Sequence, residues 1–494
     1  MKKRLLIFIF SICLPRISYT QNIDSIVNHA ATTYLAGRPW VGLSVGVIRK
    51  DKFHLYYFGS TQKDKNSLPV TTSLYEIGSI TKTFTSMLLA QAVVDEKVNL
   101  KDDIRKYLKG SYPNLEFNGK PVQLIHLANL TSGLPDNLPE NMPPFQTKER
   151  ESQLFELKKI HDGYTRSQFL QDLHTVKLSR EPGLNPAHSN TAAQLLGFLL
   201  ENIYGMSYAD LLQKYVTGPL NMKHTYISVP TSEKGFCVKG YNEKGILMPE
   251  IPKDAGSAGV LKSSLADMMK YVNYHLKEKD KRVVLSHTLF WGNYENFGIG
   301  LNWYLKTNFD EKRRIWTSGG TFGFSSYSVL YPEADFAVIT LANQNGESAE
   351  YALSEIANTI YNEVHFSAPE RSAEGFGFSR SVNLLLEMLN QRGFQFAEEI
   401  ANELKAKDNR FRLSEDELNV FGYTLLGKGN KDKALVIFKL NVSLFPESSN
   451  TYDSLAEVYE SLGDKALSIK NYKRSLELNP SNTNAVEHLK KLED

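Results

Sequence analysis

The chain has 494 residues, room for one large domain and one small one, or for three. It is 41% hydrophobic and 23% charged, the ordinary balance of a globular protein. A formal net charge of +2 argues against a dedicated nucleic-acid surface.

The first segment is a different material. "MKKRLLIFIFSICLPRISYTQ" opens on Lys2, Lys3 and Arg4, runs apolar from Leu5 to Leu14, and ends in small polar residues. Residues 1–20 therefore read as a secretory signal peptide cleaved after Thr20. The apolar run is too short to span a bilayer, and no later segment is long and apolar enough. Cleavage removes Lys2, Lys3, Arg4 and Arg16 but no acid, which leaves the mature chain slightly negative. Cys13 leaves too; Phe10-Ser11-Ile12-Cys13 lacks the small residue a lipoprotein site wants before its cysteine. Cys237 then stands alone, so no intramolecular disulfide is expected. The expected location is beyond the inner membrane, in the periplasm or extracellular envelope.

"VGLSVGVIRKDKFHLYYFGS" (41–60) alternates with period two, Val41, Leu43, Val45 and Val47 on one face and small residues on the other, with "RKDK" as the turn: a β-hairpin. "YEIGSITKTFTSMLLAQAV" (75–93) then sets Ser79 and Lys82 three residues apart at the mouth of an apolar helix. Such spacing puts both on one helix face, one turn apart. One explanation is a helix N-cap followed by an exposed first-turn lysine. The other is a nucleophile beside a base, because burial lowers a lysine's pKa toward the range where it accepts a proton.

A long, mostly helical middle follows. Strands return at "NFGIGLNWYLKT" (296–307), "SSYSVLYPE" (325–333) and "DFAVITLANQ" (335–344), and "AEYALSEIANTIYNEV" (349–364) reads as a covering helix. Strands at both ends of a helical insert predict an antiparallel sheet whose N- and C-terminal strands pair. Residues 366–380 read as a linker with little apolar material.

Beyond it, residues 381–494 are helical and self-similar at a period of 34. Aligning Pro446 with Pro480 pairs Gly429 with Gly463, Phe438 with Tyr472, Leu425 with Tyr459, Phe421 with Leu455 and Leu418 with Tyr452. Small residues recur at Gly422 and Ala456, and at Ala434 and Ser468, where paired helices would approach closely. These are the positions of a tetratricopeptide repeat, clearest at 415–448 and 449–482. Residues 381–404 read as a degenerate preceding hairpin and 483–494 as a capping helix. Such arrays bind peptides or proteins; a purely stabilising appendage is the plainer alternative.

Ser79 and Lys82 have companions in a fixed order: "LANLTSGLP" (127–135), "EPGLNPAHSNTAAQLLG" (181–197), "GPLNMKHT" (218–225), "SAGVLKSSLADM" (257–268) and "TSGGTFGFSS" (317–326). The set resembles the serine β-lactamase and penicillin-binding-protein superfamily, on the branch of class C β-lactamases, D-alanyl-D-alanine carboxypeptidases and related esterases. It covers about residues 25–365, within a domain expected over 21–365. The resemblance implies an α+β fold, an antiparallel sheet flanked by helices with an all-helical lobe, here followed by the α-helical repeat solenoid. It places the nucleophile on Ser79 and the general base on Lys82. A motif that is normally Tyr-x-Asn falls on His188-Ser189-Asn190, and a substrate-binding Lys/His-Thr/Ser-Gly motif falls on Thr317-Ser318-Gly319. The implied oxyanion hole is the backbone N–H of Ser79 and of Gly320.

Two departures stand out. His188 replaces a tyrosine: an imidazole accepts protons near neutral pH and suits a proton relay, though a structural histidine is the plainer alternative. Thr317 replaces a cation that in the family helps hold a substrate carboxylate, a loss of roughly 1.5–3 kcal/mol. The eleven histidines include no metal-binding His-x-x-x-His helix with a glutamate, and "GGTFGF" lacks phosphate-loop spacing, so neither metal nor cofactor is expected. The expected function is a secreted serine hydrolase acting through an acyl-enzyme on a β-lactam, a D-amino-acid (peptidoglycan-like) peptide or an ester. The alternative is a catalytically weakened binding protein whose repeats recruit an envelope partner.

Overall fold

The protein is described by a computed structural model over residues 22–493, except 37, 39, 40, 141–149 and 347. The expected signal peptide lies outside the described residues. Eight antiparallel strands form the main sheet, in the order Lys52–Gly59, Gly42–Arg49, Phe336–Ala342, Ser325–Tyr331, Arg313–Gly320, Tyr304–Thr307, Gly298–Ile299, Trp291–Gly292. The predicted pairing of first and last strands is present: Leu43 lies opposite Ala342 and Val47 opposite Val338. Asn343 clamps the junction, its Oδ1 accepting the Gly42 N–H at 2.6 Å across 301 residues of chain. Lys50 and Asp51 turn the first hairpin at φ of 49° and 64°, the left-handed pair that a tight two-residue turn requires.

The alternation seen in the sequence sorts the sheet's faces. Leu43, Val45 and Val47 join Val329, Val338 and Tyr331 under the helices Ile23–Leu35 and Ala349–His365. On the other face a Cβ on Gly46 would lie 2.3 Å from the Met269 sulfur, so the helix Leu265–Lys277 packs directly on the strand backbone. Beyond that helix sits the helical lobe, centred on Thr81–Val94. This helix is buried at every position from Thr81 to Ala90, and its buried hydroxyls bond inside the lobe, Thr83 Oγ1 to the Ile80 carbonyl at 2.7 Å and Thr85 Oγ1 to the Ser257 carbonyl at 2.7 Å.

Two predicted elements differ. The strand expected over 296–307 is broken into Gly298–Ile299 and Tyr304–Thr307. Between them Asn302 adopts φ 56°, donates its N–H to the Ala128 carbonyl at 2.6 Å and its Nδ2–H to Ser86 Oγ at 2.8 Å, which ties the sheet to the helical lobe. The linker carries more apolar material than expected: Phe366 and Phe376 pack on Phe309 at ring separations of 5.2 and 5.0 Å, and Phe378 meets Phe421 in the repeat core.

The repeats are two helical hairpins, Glu415–Gly427 with Lys431–Leu444 and Ser449–Ser461 with Lys465–Leu478, preceded by Arg380–Arg392 with Ala397–Lys407 and capped by Thr483–Glu493. The small positions do what small positions should: Ala434, Ala456 and Ser468 are fully buried, and a Cβ on Gly422 would lie 2.6 Å from the Phe438 ring. Among the described residues no helix is long and apolar enough to cross a membrane.

Candidate active site

Ser79 sits in a single 3-10 turn, Gly78–Ile80, between the short strand Leu74–Glu76 and the buried helix that starts at Thr81. The turn is pressed against the end of the strand Arg313–Gly320. A Cβ on Gly78, which has φ 50°, would lie 2.6–2.9 Å from the Gly320 backbone. One on Gly319 would lie 2.2 Å from the Ile77 carbonyl oxygen and 2.8 Å from the Ser79 nitrogen. Only glycines permit this approach of backbone to backbone. It brings the amides of Ser79 and Gly320 to neighbouring positions.

Neither part of the plainer explanation for this stretch is seen. No side chain caps the Thr81–Val94 helix, and Lys82 is only 3% exposed. Its Nζ donates to Ser79 Oγ at 2.7 Å, to Asn190 Oδ1 at 2.8 Å and to the Ala258 carbonyl at 3.0 Å. Burial drags its pKa down to about 7 against the upward pull of the Asp136 and Glu350 carboxylates.

Asn190 opens the helix Asn190–Tyr204, whose N-cap is Ser189: its Oγ accepts the Ala192 N–H at 3.0 Å, and its hydroxyl donates to the Pro135 carbonyl at 2.7 Å. The side chain is thereby aimed along a polar relay. Asn190 Nδ2–H donates to Asn137 Oδ1 at 2.9 Å, Asn137 Nδ2–H donates to Asp136 Oδ2 at 2.8 Å, and Asp136 Oδ1 stands 2.6 Å from His188 Nδ1. Lys82 and His188 are thus joined through three intervening side chains. Burial pushes the Asp136 carboxyl up, but the His188 imidazole, the Asn190 N–H and the Lys82 charge outweigh it and hold the group below its ordinary value. With Nδ1 taken by Asp136, His188 has Nε2 left for a ligand.

Ser79, Asp136, His188, Asn190, Gly320 and Glu350 all line one cavity of about 650 Å³ between the sheet and the helical lobe. The other three residues expected on this wall, Thr317, Ser318 and Gly319, do not line it. Thr317 is 3% exposed and paired with Ser328 in the sheet, and Gly319 is pinned against Ser79. Thr317 and Gly319 are buried in the sheet, and Gly320 alone of the four reaches the cavity. Asp136, Asn137 and Glu350 were not foreseen. Asp136 and Asn137 directly follow the quoted "LANLTSGLP", so a polar pair next to a recognised motif was the available signal; Glu350 had none beyond its place in the first turn of the last helix of the domain.

The profile of the beta-lactamase family matches residues 27–360, and a tetratricopeptide-repeat profile matches 449–482. A beta-lactamase of Escherichia coli (strain K12) is 27% identical over 365 residues, covering 66% of this chain and 90% of that protein. A D-alanyl-D-alanine-carboxypeptidase/endopeptidase of the same organism is 25% identical, covering 70% and 90%. Among solved structures, the beta-lactamase/D-alanine carboxypeptidase from Yersinia pestis, complexed with citrate, superposes with a TM-score of 0.59 at 25% identity, covering 69% of this chain and 98% of that one.

Proposed function

This chain belongs to the beta-lactamase family, and from that premise we propose that residues 21–365 act as a serine hydrolase working through an acyl-enzyme on a β-lactam, a D-amino-acid peptide or an ester. The observation that carries the reading is the 2.7 Å contact of Ser79 Oγ with a buried lysine whose pKa lies at about 7. At neutral pH a large share of Lys82 is a free amine. Its lone pair takes the Ser79 proton as Oγ attacks the scissile carbonyl, and the two remaining N–H bonds stay on Asn190 and the Ala258 carbonyl. The oxygen that becomes negative meets the amides of Ser79 and Gly320. His188, held through Nδ1 by Asp136, has the Nε2 lone pair free to take the proton that left Ser79 from the Lys82 side and pass it on to the leaving group. Water then attacks the ester on Ser79 and releases the acid, with the proton returning to the serine.

The leader at 1–20 supports delivery across the inner membrane to the periplasm or outer envelope. The repeats support attachment to a protein partner there. The reading is tested by labelling. A fluorophosphonate probe or a fluorescent β-lactam should attach to Ser79 in the native chain and not in Ser79→Ala. That variant should stay folded, because Ser79 caps no helix and loses only its hydrogen bond with Lys82, about 0.5–1.5 kcal/mol. Equal turnover of a short-chain nitrophenyl ester by both proteins would sink the nucleophile assignment.

A further inference from the structure

The cavity around Ser79 is lined by four carboxylate side chains, Asp136, Glu243, Asp254 and Glu350, and by no lysine or arginine among the described residues. Two of the four are matched: Asp136 by His188, and Asp254 by His161 Nδ1 at 2.7 Å. Glu243 and Glu350 make no side-chain hydrogen bond or ion pair among the described residues. Their place is specific. Glu350 Oε1 lies 2.8 Å from where a Cβ on Gly320 would sit, so a carboxylate stands beside the amide that is to receive the oxyanion. Glu243 follows the strand Tyr241–Asn242, which pairs with Gln344–Asn345 on the same side of the cleft. Lys82, beside Ser79, is spent on Ser79, Asn190 and Ala258. Thr317, where the family places a cation, supplies no charge.

The two walls of the cleft differ in origin. Asp136, Asn137, His188 and Asn190 come from the helical lobe; Gly320, Asn345 and Glu350 come from the sheet and the helix beside it. A leaving group must face His188 to receive its proton. The acyl portion then lies along the opposite wall, against Glu350 and Glu243. An ammonium there would complete two unmatched carboxylates, and a carboxylate there would meet two like charges in a partly desolvated cleft, where such terms are strengthened.

We propose that this site selects acyl groups that carry an ammonium next to the scissile carbonyl, as in amino-acid esters and amides or peptides with a free α-amine, over acyl groups that carry a carboxylate there. This rests on the acyl-enzyme reading.

The test compares 4-nitrophenyl-releasing derivatives of D- and L-alanine with the α-amine free, acetylated or succinylated, which present a cation, a neutral group and an anion at one place. For the preferred enantiomer, kcat/KM should be higher for the free amine than for the acetylated compound by about tenfold or more, and lowest for the succinylated one. Acetylation also adds bulk, so Glu350→Gln and Glu243→Gln decide the cause: each should shrink the free-to-acetylated ratio. Turnover that depends on Ser79 but shows no preference for the free amine, or a ratio that neither variant moves, overturns this inference alone. No turnover of any compound and no probe labelling of Ser79 overturns the acyl-enzyme reading and this inference with it.

Discussion

Lys82 is the residue on which the chemistry turns. A protonated lysine has three N–H bonds to give and no acceptor, and its Nζ meets three acceptors. The pocket thus satisfies the ammonium form geometrically, while burial brings the pKa to about 7. Because the active form is the free amine, kcat/KM should rise with pH through about 7 and level off above it. A profile flat between about pH 5.5 and 8.5 would show that Lys82 is not the base. Asp136 offers a second, separable reading. Its charge raises the Lys82 pKa, so Asp136→Asn should shift the acid limb to lower pH. Loss of the carboxylate that holds His188 should lower kcat as well, by about tenfold to a hundredfold. A fall in kcat with an unmoved limb would make Asp136 a structural residue only.

Elements carry the part of the molecule that was legible beforehand. The period-two run at 41–60 gave its hairpin and its buried face, and the 34-residue period gave both repeat hairpins, because each pattern is local and repeats. The broken strand at 296–307 was not legible: the break is imposed by Asn302 reaching into the helical lobe, a long-range contact. The site divides the same way. Ser79 and Lys82 share a helix turn and could be seen together, whereas the relay through Asn137 and Asp136, and the acid at Glu350, arrive on separate loops and helices with no spacing to betray them. One element-scale consequence is measurable in the repeats. Gly422→Ala gains up to about 1 kcal/mol of helix propensity, yet its methyl must displace the buried Phe438 ring, at about 1–3 kcal/mol. The melting of the repeats should move down while Ser79 labelling stays unchanged. An unmoved transition would mean that the two helices separate without strain.

At the scale of the whole molecule, the repeats have an apolar core of their own, apart from the two that sandwich the sheet. Among the described residues, Phe366 and Phe376 of the linker pack on Phe309 of the first domain, and Arg380 approaches Glu311 at 3.9 Å. A chain ending after Gly377 keeps that stack and should fold and label Ser79 like the full protein. One ending after Ala368 keeps Phe366 but strips Phe376 from Phe309 and should be less stable by about 1–3 kcal/mol. A shortened protein that folds but no longer labels would show that the repeats complete the cleft.

The clamp of Asn343 on Gly42 sets the order in which this molecule can come into being. It closes a loop of 301 residues, while long-range side-chain bonds within the repeats, such as Asn441 to Glu415 or Tyr423 to Ser454, span 26 and 31. Distant pairings fold slowly and near ones quickly. A chain synthesised from its N-terminus makes its first hairpin early and must hold it without a neighbour until residues 336–342 emerge. The turn that carries Ser79 is shaped by the strand Arg313–Gly320, so the serine lies in the chain long before it can become a nucleophile. An unfinished chain therefore lacks the proposed acyl-transfer site, which is assembled only with the completed domain.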